Sequence, residues 1–193
     1  MAKTTCKKFT YAKYSSGGND AAIVYTGGTM LTDYLAKVDI KEERTDEKEY
    51  ADGHLIDRGN GLNALSLAFE LANNDPDIKK DLLGHVEGSV PGELDVTDAD
   101  APFVGVGFIL CNRFKGVETY EGYWAYKVQF SSAGVSSSTR RESEQWEHET
   151  INGDTMGVTR TSGGDVVYYS HIDEQATEAA VRAWLNLKSG ANP

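Results

Sequence analysis

Residue types that bind metals or act as catalytic bases are few in this sequence and are widely spaced. The four histidines stand at positions 54, 85, 148 and 171. They show neither the HxH nor the HxxxH spacing that brings two imidazoles to one metal ion. The two cysteines, Cys6 and Cys111, belong to no metal-binding motif. We therefore expect no metal site and no cofactor, and we interpret the cysteines as reduced thiols of a protein made in a cytoplasm.

A glycine-rich segment, Gly105-x-Gly107, matches the start of a dinucleotide-binding loop. The third glycine of that loop is missing, and both glycines lie inside an alternating apolar run rather than between a strand and a helix. Close packing of the backbone is the better explanation for them. The sequence contains neither a GxSxG nucleophile motif nor a phosphate-binding Walker loop.

Carboxylates are plentiful, but they cluster in polar segments, where solvated surface is the ordinary explanation. A pair of them acting as general acid and base stays open as an alternative. Trp124, with Tyr123 and Tyr126, would suit stacking on a sugar ring, yet their alternation along a strand is more typical of a core. The sequence therefore predicts no catalytic residue and no enzymatic activity.

The composition fits a single β-rich domain that does not bind nucleic acid. The chain has 193 residues, of which 39% are hydrophobic, and a formal net charge of −11. A chain of this length buries enough surface to fold without a disulfide or a metal, and its negative charge opposes binding to phosphates. Because no run of 18 apolar residues and no signal-peptide core occurs, we expect no membrane span and no secretory signal.

The elements are organised around residues 103–132, which contain eight of the nineteen aromatic residues. Apolar residues alternate over residues 104–110 and again over residues 120–130, and period-two alternation of this length predicts two long strands. Lys115 and Gly116 supply the turn between them. We predict a central hairpin (residues 103–132) that lies in the middle of a large sheet and is covered on both faces.

Further strands are predicted on both sides of the central hairpin. They lie at residues 7–14, 21–25, 31–40, 62–71, 140–150, 155–161 and 166–172. Two glycine-containing segments, Gly27-Gly28 and Asn152-Gly153-Asp154, are typical of turns and are predicted to end strands.

Two polar segments interrupt the strand pattern. Residues 41–61, named the arm, form the most polar stretch of the chain and are predicted to be an extended arm or mobile loop. A loop of about twenty residues inside a domain is uncommon and is usually functional or disordered. Residues 85–101, named the acidic loop, carry five acids and neither Lys nor Arg.

Two helices complete the predicted fold. A short one runs from its capping Asp75 to Gly84 and presents Ile78 and Leu82 to the sheet. A C-terminal one spans about residues 173–188. Its apolar stripe consists of Ala176, Ala180, Ala183, Trp184 and Leu187. We therefore predict one α+β domain rich in β-structure, a sandwich or partly closed barrel of seven to nine strands with two flanking helices.

Three blocks of sequence resemble one family. Residues 51–84 hold a D-G-x-x-I-D segment, an alternating strand and a short acid-rich helix ending in L-L-G. Residues 105–132 hold a Gly-rich apolar strand, a K-G turn and an aromatic strand, and residues 174–186 form the third block. In this order they resemble the major tail proteins, the tail tube subunits, of long non-contractile phage tails from Gram-positive hosts. We expect no C-terminal immunoglobulin-like domain, which some tail proteins carry, because the sequence ends at Pro193.

The resemblance implies a structural virion protein of a siphovirus bacteriophage. Its fold would be of the tail-tube type, assembled as hexameric rings that stack into a hollow tube for genome ejection into the host cell. The partners would be other copies of the chain, a tape measure protein inside, and tail terminator and distal tail proteins at the ends, with DNA only in transit. Assembly would take place in the host bacterial cytoplasm. The alternative is a virion-associated carbohydrate-binding or adhesion module that forms small oligomers.

Three sets of residues receive a role in this hypothesis. The arm is expected to project and contact a neighbouring subunit through Lys41, Glu42, Arg44, Asp46, Tyr50, His54 and Arg58. The central hairpin is expected to continue between subunits as one closed inner barrel through Val104, Val106, Phe108, Leu110, Tyr120, Trp124, Tyr126, Val128 and Phe130. An acidic wall would repel DNA, and the candidate acids are Glu93, Asp95, Asp98, Asp100, Glu142 and Glu144.

Overall fold

The fold is rich in β-structure and carries two short helices. A computed structural model describes residues 2–16, 23–51, 54–59, 61–72, 75–97, 99–132, 148–159 and 166–190. The strands are β1 (Ala2–Ser16), β2 (Ile23–Leu31), β3 (Leu35–Arg44), β4 (Glu47–Ala51), β5 (His54–Gly59), β6 (Leu62–Leu71), β7 (Val86–Glu87), β8 (Leu94–Asp95), β9 (Phe103–Phe114), β10 (Val117–Ser132), β11 (Glu149–Thr155), β12 (Val158–Thr159), β13 (Val166–Val167) and β14 (Tyr169–Gln175). The helices are α1 (Pro76–Leu83) and α2 (Glu178–Ser189).

Eight strands form one large antiparallel sheet. Its order is β2-β1-β9-β10-β11-β6-β3, and β14 pairs with β10 beside this path. β9 lies between β1 and β10, and its residues 104–112 are all buried. The predicted central hairpin is therefore confirmed, with its turn at Lys115 and Gly116. The remaining described strands pair in twos, as β4-β5, β7-β8 and β12-β13.

A bulge in β10 folds the large sheet over on itself. The register of β10 against β9 shifts between Ala125 and Val128. Residues 120–125 of β10 pair with β14, whereas residues 128–132 pair with β11. Because a bulge bends its strand and increases the local twist, β10 takes part in both halves of the folded sheet.

The same bulge changes which residues of β10 point to the main core. Trp124 and Tyr126 lie in a cluster on the outer face, whereas Val128 and Phe130 lie in the main core. The unbroken alternation over residues 120–130 predicts one shared face for these four residues, and that prediction is wrong. One extra residue at the bulge turns every following side chain to the opposite face of the sheet.

The two halves of the sheet face each other across the main core. The ring centroid of Phe69 on β6 lies 5.0 Å from that of Phe9 on β1 and 5.7 Å from that of Phe108 on β9. Phe9 and Phe69 have no exposed surface, and burying a side chain of this size contributes roughly 1.5–3 kcal/mol. This arrangement is compatible with the predicted β-sandwich.

Strand β3, which ends one half of the folded sheet, contacts β1 and β14 of the other half through side chains. The Cys6 thiol of β1 donates to the carbonyl oxygen of Ala36 near the start of β3, at 3.6 Å. The Tyr169 hydroxyl of β14 donates to Glu42 Oε1 near the end of β3, at 2.8 Å. These contacts bring strands that are distant in the sheet order back together.

Two segments predicted to be turns lie inside strands. Gly27-Gly28 lies within β2, where Gly27 has a φ of +68° opposite an irregular stretch of β1. Asn152-Gly153-Asp154 lies within β11, which pairs with both β6 and β10. A Cβ at Gly153 would stand 2.7 Å from side-chain atoms of Phe130 and Val128. Gly153 is therefore needed for close packing in a central strand, and the turn prediction is wrong.

The strands predicted after the central hairpin differ in extent from those observed. β6 has the bounds that its alternation predicts. The strand predicted over residues 140–150 is observed only from Glu149, and residues 133–147 lie outside the described part of the chain. Residues 166–172 are divided between β13 and β14, since Tyr168 interrupts the ladder while its backbone oxygen accepts from Tyr126 N.

Helix α1 forms as predicted and covers one end of the main core. Asp75 caps it by accepting from Asp77 N, and Gly84 ends it in the left-handed conformation. Ile78 and Leu82 are buried. A helix of two turns is too short to be stable alone, so this docking is what holds it in place.

Helix α2 begins later than predicted and buries a different face. Residues 173–175 belong to β14, and Thr177 caps the helix by accepting from Ala180 N. Val181 and Leu185 are fully buried, whereas Leu187 is 80% exposed. Trp184 of the predicted stripe is half-buried and packs against the cluster under the helix, as predicted. The other stripe residues are exposed, because the more apolar pair, Val181 and Leu185, packs against the sheet and the small alanines face outward.

Candidate assembly surfaces

The nine residues of the central hairpin assigned to an inner barrel lie inside the domain. Eight of them are at most 7% exposed, and Tyr120 is half-buried. Both strands are paired along both edges, because β1 flanks β9 while β14 and β11 together flank β10. Over the described residues both edges of the hairpin are therefore occupied within its own chain. Its role as an inner barrel between subunits stays a prediction. The chain itself supplies the partners that such long strands require.

The first part of the arm is a strand. Lys41, Glu42 and Arg44 belong to β3, with Lys41 opposite Ser66 and Arg44 opposite Leu62 of β6. Of the two predicted forms, a mobile loop is therefore wrong for residues 41–44, which are extended. Residues 41–44 are all charged, so they lack the alternation of apolar and polar residues that is typical of a half-buried strand. Their backbone nevertheless pairs with β6 throughout.

The rest of the arm is a separate hairpin, named the arm hairpin (β4 and β5). Lys48 pairs opposite Arg58, and β4-β5 is a two-stranded sheet of its own. Asp46 forms an ion pair with Lys48 at 3.1 Å at its base. Tyr50 is 62% exposed, and His54 is exposed as well. The arm hairpin thus exposes the aromatic ring of Tyr50. A two-stranded hairpin that stands alone in water is only marginally stable.

A charged cluster fixes the base of the arm. Arg44 donates to Glu42 Oε2 through Nη2 at 2.8 Å and through Nε at 3.0 Å. The Arg44 guanidinium and the Tyr169 hydroxyl lower the pKa of the Glu42 carboxyl below its ordinary value. Burial, followed by the bond to Glu42, raises the pKa of the Tyr169 hydroxyl. The arm is therefore anchored to β14 by a carboxylate held in its charged form.

The acidic loop is locally ordered. β7 and β8 pair within it, and Glu93 Oε2 accepts from Val90 N at 2.9 Å across the turn. Asp95 and Asp100 are exposed. The other candidate wall acids, Asp98, Glu142 and Glu144, lie outside the described residues. Three of the six assigned acids, Glu93, Asp95 and Asp100, are thus exposed, and Glu93 also stabilises the turn.

A shallow groove separates the acidic loop from the end of the central hairpin. Its volume is about 390 Å³. Its lining residues are Leu83, His85, Val96, Ala99, Asp100, Ala101, Gln129, Phe130, Ser131, Ser132, Asp154 and Met156. Val96 is 77% exposed and Met156 is 47% exposed. The groove therefore combines exposed apolar side chains with carboxylates and contains neither Lys nor Arg among its described lining residues.

The turn of the central hairpin was not assigned a role from the sequence. It exposes Phe114 by 53% and Val117 by 65%. The ammonium of Lys115 lies 5.3 Å from the centroid of the Phe114 ring. Residues 113–117, named the hairpin tip, thus form a basic and apolar knob. The sequence R-F-K-G-V could have indicated this surface, because apolar residues at a tight turn have no core in which to be buried.

The aromatic residues considered for sugar stacking are not available to a ligand. Trp124 has no exposed surface, and Tyr126 is 4% exposed. Tyr123 stacks on Phe108 with ring centroids 5.3 Å apart and an interplanar angle of 4°. Their positions agree with the prediction that these aromatics belong to the core.

The described residues hold no cluster of three or more His, Cys, Asp or Glu side chains arranged for a metal ion. Cys6 and Cys111 are not joined in a disulfide, and burial raises the pKa of the Cys6 thiol. Neither of the two described helices is long and apolar enough to span a membrane.

No protein-family model matches the chain, and no curated protein matches it either.

Proposed function

We propose that the protein is a structural virion protein, the tail tube subunit of a long non-contractile phage tail. The observation that carries the proposal is where the three resembling blocks lie in the fold. Residues 51–84 form β5, β6 and α1, residues 105–132 form most of the central hairpin, and residues 174–186 lead into α2. The blocks therefore supply the centre of the folded sheet and both helices, which are the parts that a shared architecture would preserve.

The two polar segments leave opposite ends of the β3-β6 ladder. The arm hairpin follows β3 where Arg44 pairs opposite Leu62. Helix α1 and the acidic loop follow β6 beyond Leu71, at the other end of the ladder. A subunit that is stacked between two others needs contact surfaces at both ends. In the proposal, hexameric rings stack and the arm, with its exposed Tyr50, contacts a subunit of the next ring.

The charge of the protein suits a conduit for DNA. The net charge is −11, and affinity for DNA comes mainly from neutralising its phosphates with Lys and Arg. Exposed acids such as Glu93 and Asp95 facing the bore would repel DNA and keep it in transit. In the proposal, a tape measure protein fills the tube before ejection, terminator and distal proteins close its ends, and assembly takes place in the host bacterial cytoplasm. No catalytic role is included.

Negative-stain electron microscopy of the purified protein tests this function. The expected result is long hollow tubes of uniform width. A carbohydrate-binding module would instead give small discrete oligomers, and a glycan array would detect its ligand. Discrete oligomers over the whole accessible range of protein concentration would contradict the proposal.

A further inference from the structure

The hairpin tip and the groove lie at opposite ends of the same pair of strands. Phe103 pairs opposite Gln129 beside the groove, and Phe114 pairs opposite Val117 at the tip. β9 has 12 residues, so at about 3.4 Å per residue the two surfaces stand roughly 40 Å apart. A tip therefore cannot reach the groove of its own chain, and any contact between them must join two copies.

The two surfaces are complementary in charge. The tip carries Arg113 and Lys115, and both are exposed. The groove is lined by Asp100 and Asp154, and Gln129 donates to the Ala101 carbonyl oxygen at 2.9 Å, which holds the acidic loop against β10. Two tips facing each other would repel, and so would two grooves. Like charges thus disfavour tip-to-tip and groove-to-groove contacts and favour a tip against a groove.

Both surfaces also expose apolar side chains. Phe114 and Val117 project at the tip, and Val96 and Met156 flank the groove. The turn places Lys115 and Gly116 at φ values of 49° and 84°, the left-handed pair that makes a tight two-residue hairpin. The tip is therefore a defined knob rather than a loose loop, and little ordering entropy would be lost when it docks.

We propose that the hairpin tip of one copy docks into the groove of a second copy, head to tail. This contact rests on the proposed tail-tube function and deepens it, because a head-to-tail interface that does not close generates an open polymer. A single contact of this size is smaller than a stable interface between two proteins. It becomes strong when several copies in one ring engage the next ring together.

Charge reversal on the two surfaces tests the contact. Lys115→Glu and Asp100→Lys are each expected to raise the protein concentration needed for assembly by about tenfold or more. The double variant, which restores opposite charges, is expected to assemble within a few-fold of the wild type. A one-to-one mixture of the two single variants is expected to co-assemble, since each tip then finds a groove of opposite charge. Arg182→Glu, which reverses an exposed cation on α2, is the matched control and should assemble normally.

The outcomes separate this contact from the proposed function. Melting temperatures near that of the wild type establish that the variants fold, and light scattering with electron microscopy reports assembly. Tubes from both single variants at the wild-type concentration would overturn the contact and leave the tail-tube function standing. Failure of both the double variant and the mixture would likewise overturn it. Wild-type chains that grow head to tail without a bore, and that respond to the variants as expected, would overturn the function and support the contact.

Discussion

Glycines inside β9 determine how closely α2 approaches the sheet. A Cβ on Gly107 would lie 2.6 Å from Leu185 Cδ2 and 2.7 Å from the Tyr123 backbone oxygen. Because the backbone oxygen cannot move aside, we expect Gly107→Ala to lower the free energy of unfolding by roughly 1–3 kcal/mol. Gly61→Ala is the control, since nothing lies within 4 Å of a Cβ there. Denaturant unfolding of both variants measures the difference, and equal stabilities would refute the packing argument.

Glu42 gives the stability of the fold a dependence on pH. Its pKa is lowered from 4.5 in the folded protein, first by Arg44 and then by Tyr169. A group with a lowered folded pKa stabilises the protein above its unfolded pKa, and this contribution is lost as the pH falls through the folded value. We expect Glu42→Gln to lower the melting temperature at pH 7, with a gap to the wild type that narrows as the pH falls below 4.5.

Melting curves between these pH values test the role of Glu42. Glu43→Gln removes the same charge from the next residue, whose carboxylate pairs with the exposed Lys41 at 3.3 Å. An ion pair this exposed contributes little, so Glu43→Gln should change the melting temperature less. A gap for Glu42→Gln that is constant with pH would show that the cluster at the base of the arm does not act through its charge.

Helix α2 provides a matched pair of leucines at the scale of the element. Leu185 is fully buried and Leu187 is 80% exposed. Leu185→Ala should cost roughly 2–5 kcal/mol of stability because it leaves a cavity under the helix. Leu187→Ala should cost close to nothing in the monomer. Chemical denaturation distinguishes the two variants, and equal losses would mean that the helix is rotated about its axis so that Leu187 is buried as well.

The arm hairpin can be removed at a point where the two chain segments that lead into it already meet. Thr45 N donates to the Gly61 carbonyl oxygen at 2.9 Å, so Asn-Gly in place of residues 46–60 can close the chain with a two-residue turn. We expect a monomer that folds with an almost unchanged melting temperature, since the arm hairpin pairs with itself. Under the proposed function this variant should form no tubes in electron micrographs. Normal tubes would show that the arm hairpin has no part in assembly.

Charge acts at the scale of the whole molecule. With a net charge of −11, assembled tubes should not retain double-stranded DNA, because no excess of cations is present to release counterions. Co-sedimentation of tubes with linear DNA at about 50 mM salt measures this, with polylysine as a positive control. DNA that pellets with the tubes and is released by salt would contradict an acidic bore.

The sequence by itself determined the elements whose signals are local. The alternation of β6, the apolar run of β9 with its Lys115-Gly116 turn, and the caps of α1 all lie where the sequence predicts them. In each case the residues that specify the backbone geometry are close to one another in the sequence, within one helix or one hairpin. The burial of Trp124 is likewise predicted from its place in an alternating strand.

Only the tertiary structure decided how these elements combine. The bulge after Ala125 redirects half of β10, and Gly153 lies in a central strand because Phe130 and Val128 need its space. The polar start of the arm becomes a strand because β6 offers it an edge to pair with. None of these results is encoded in the local pattern, since each depends on a partner strand that is distant in the chain.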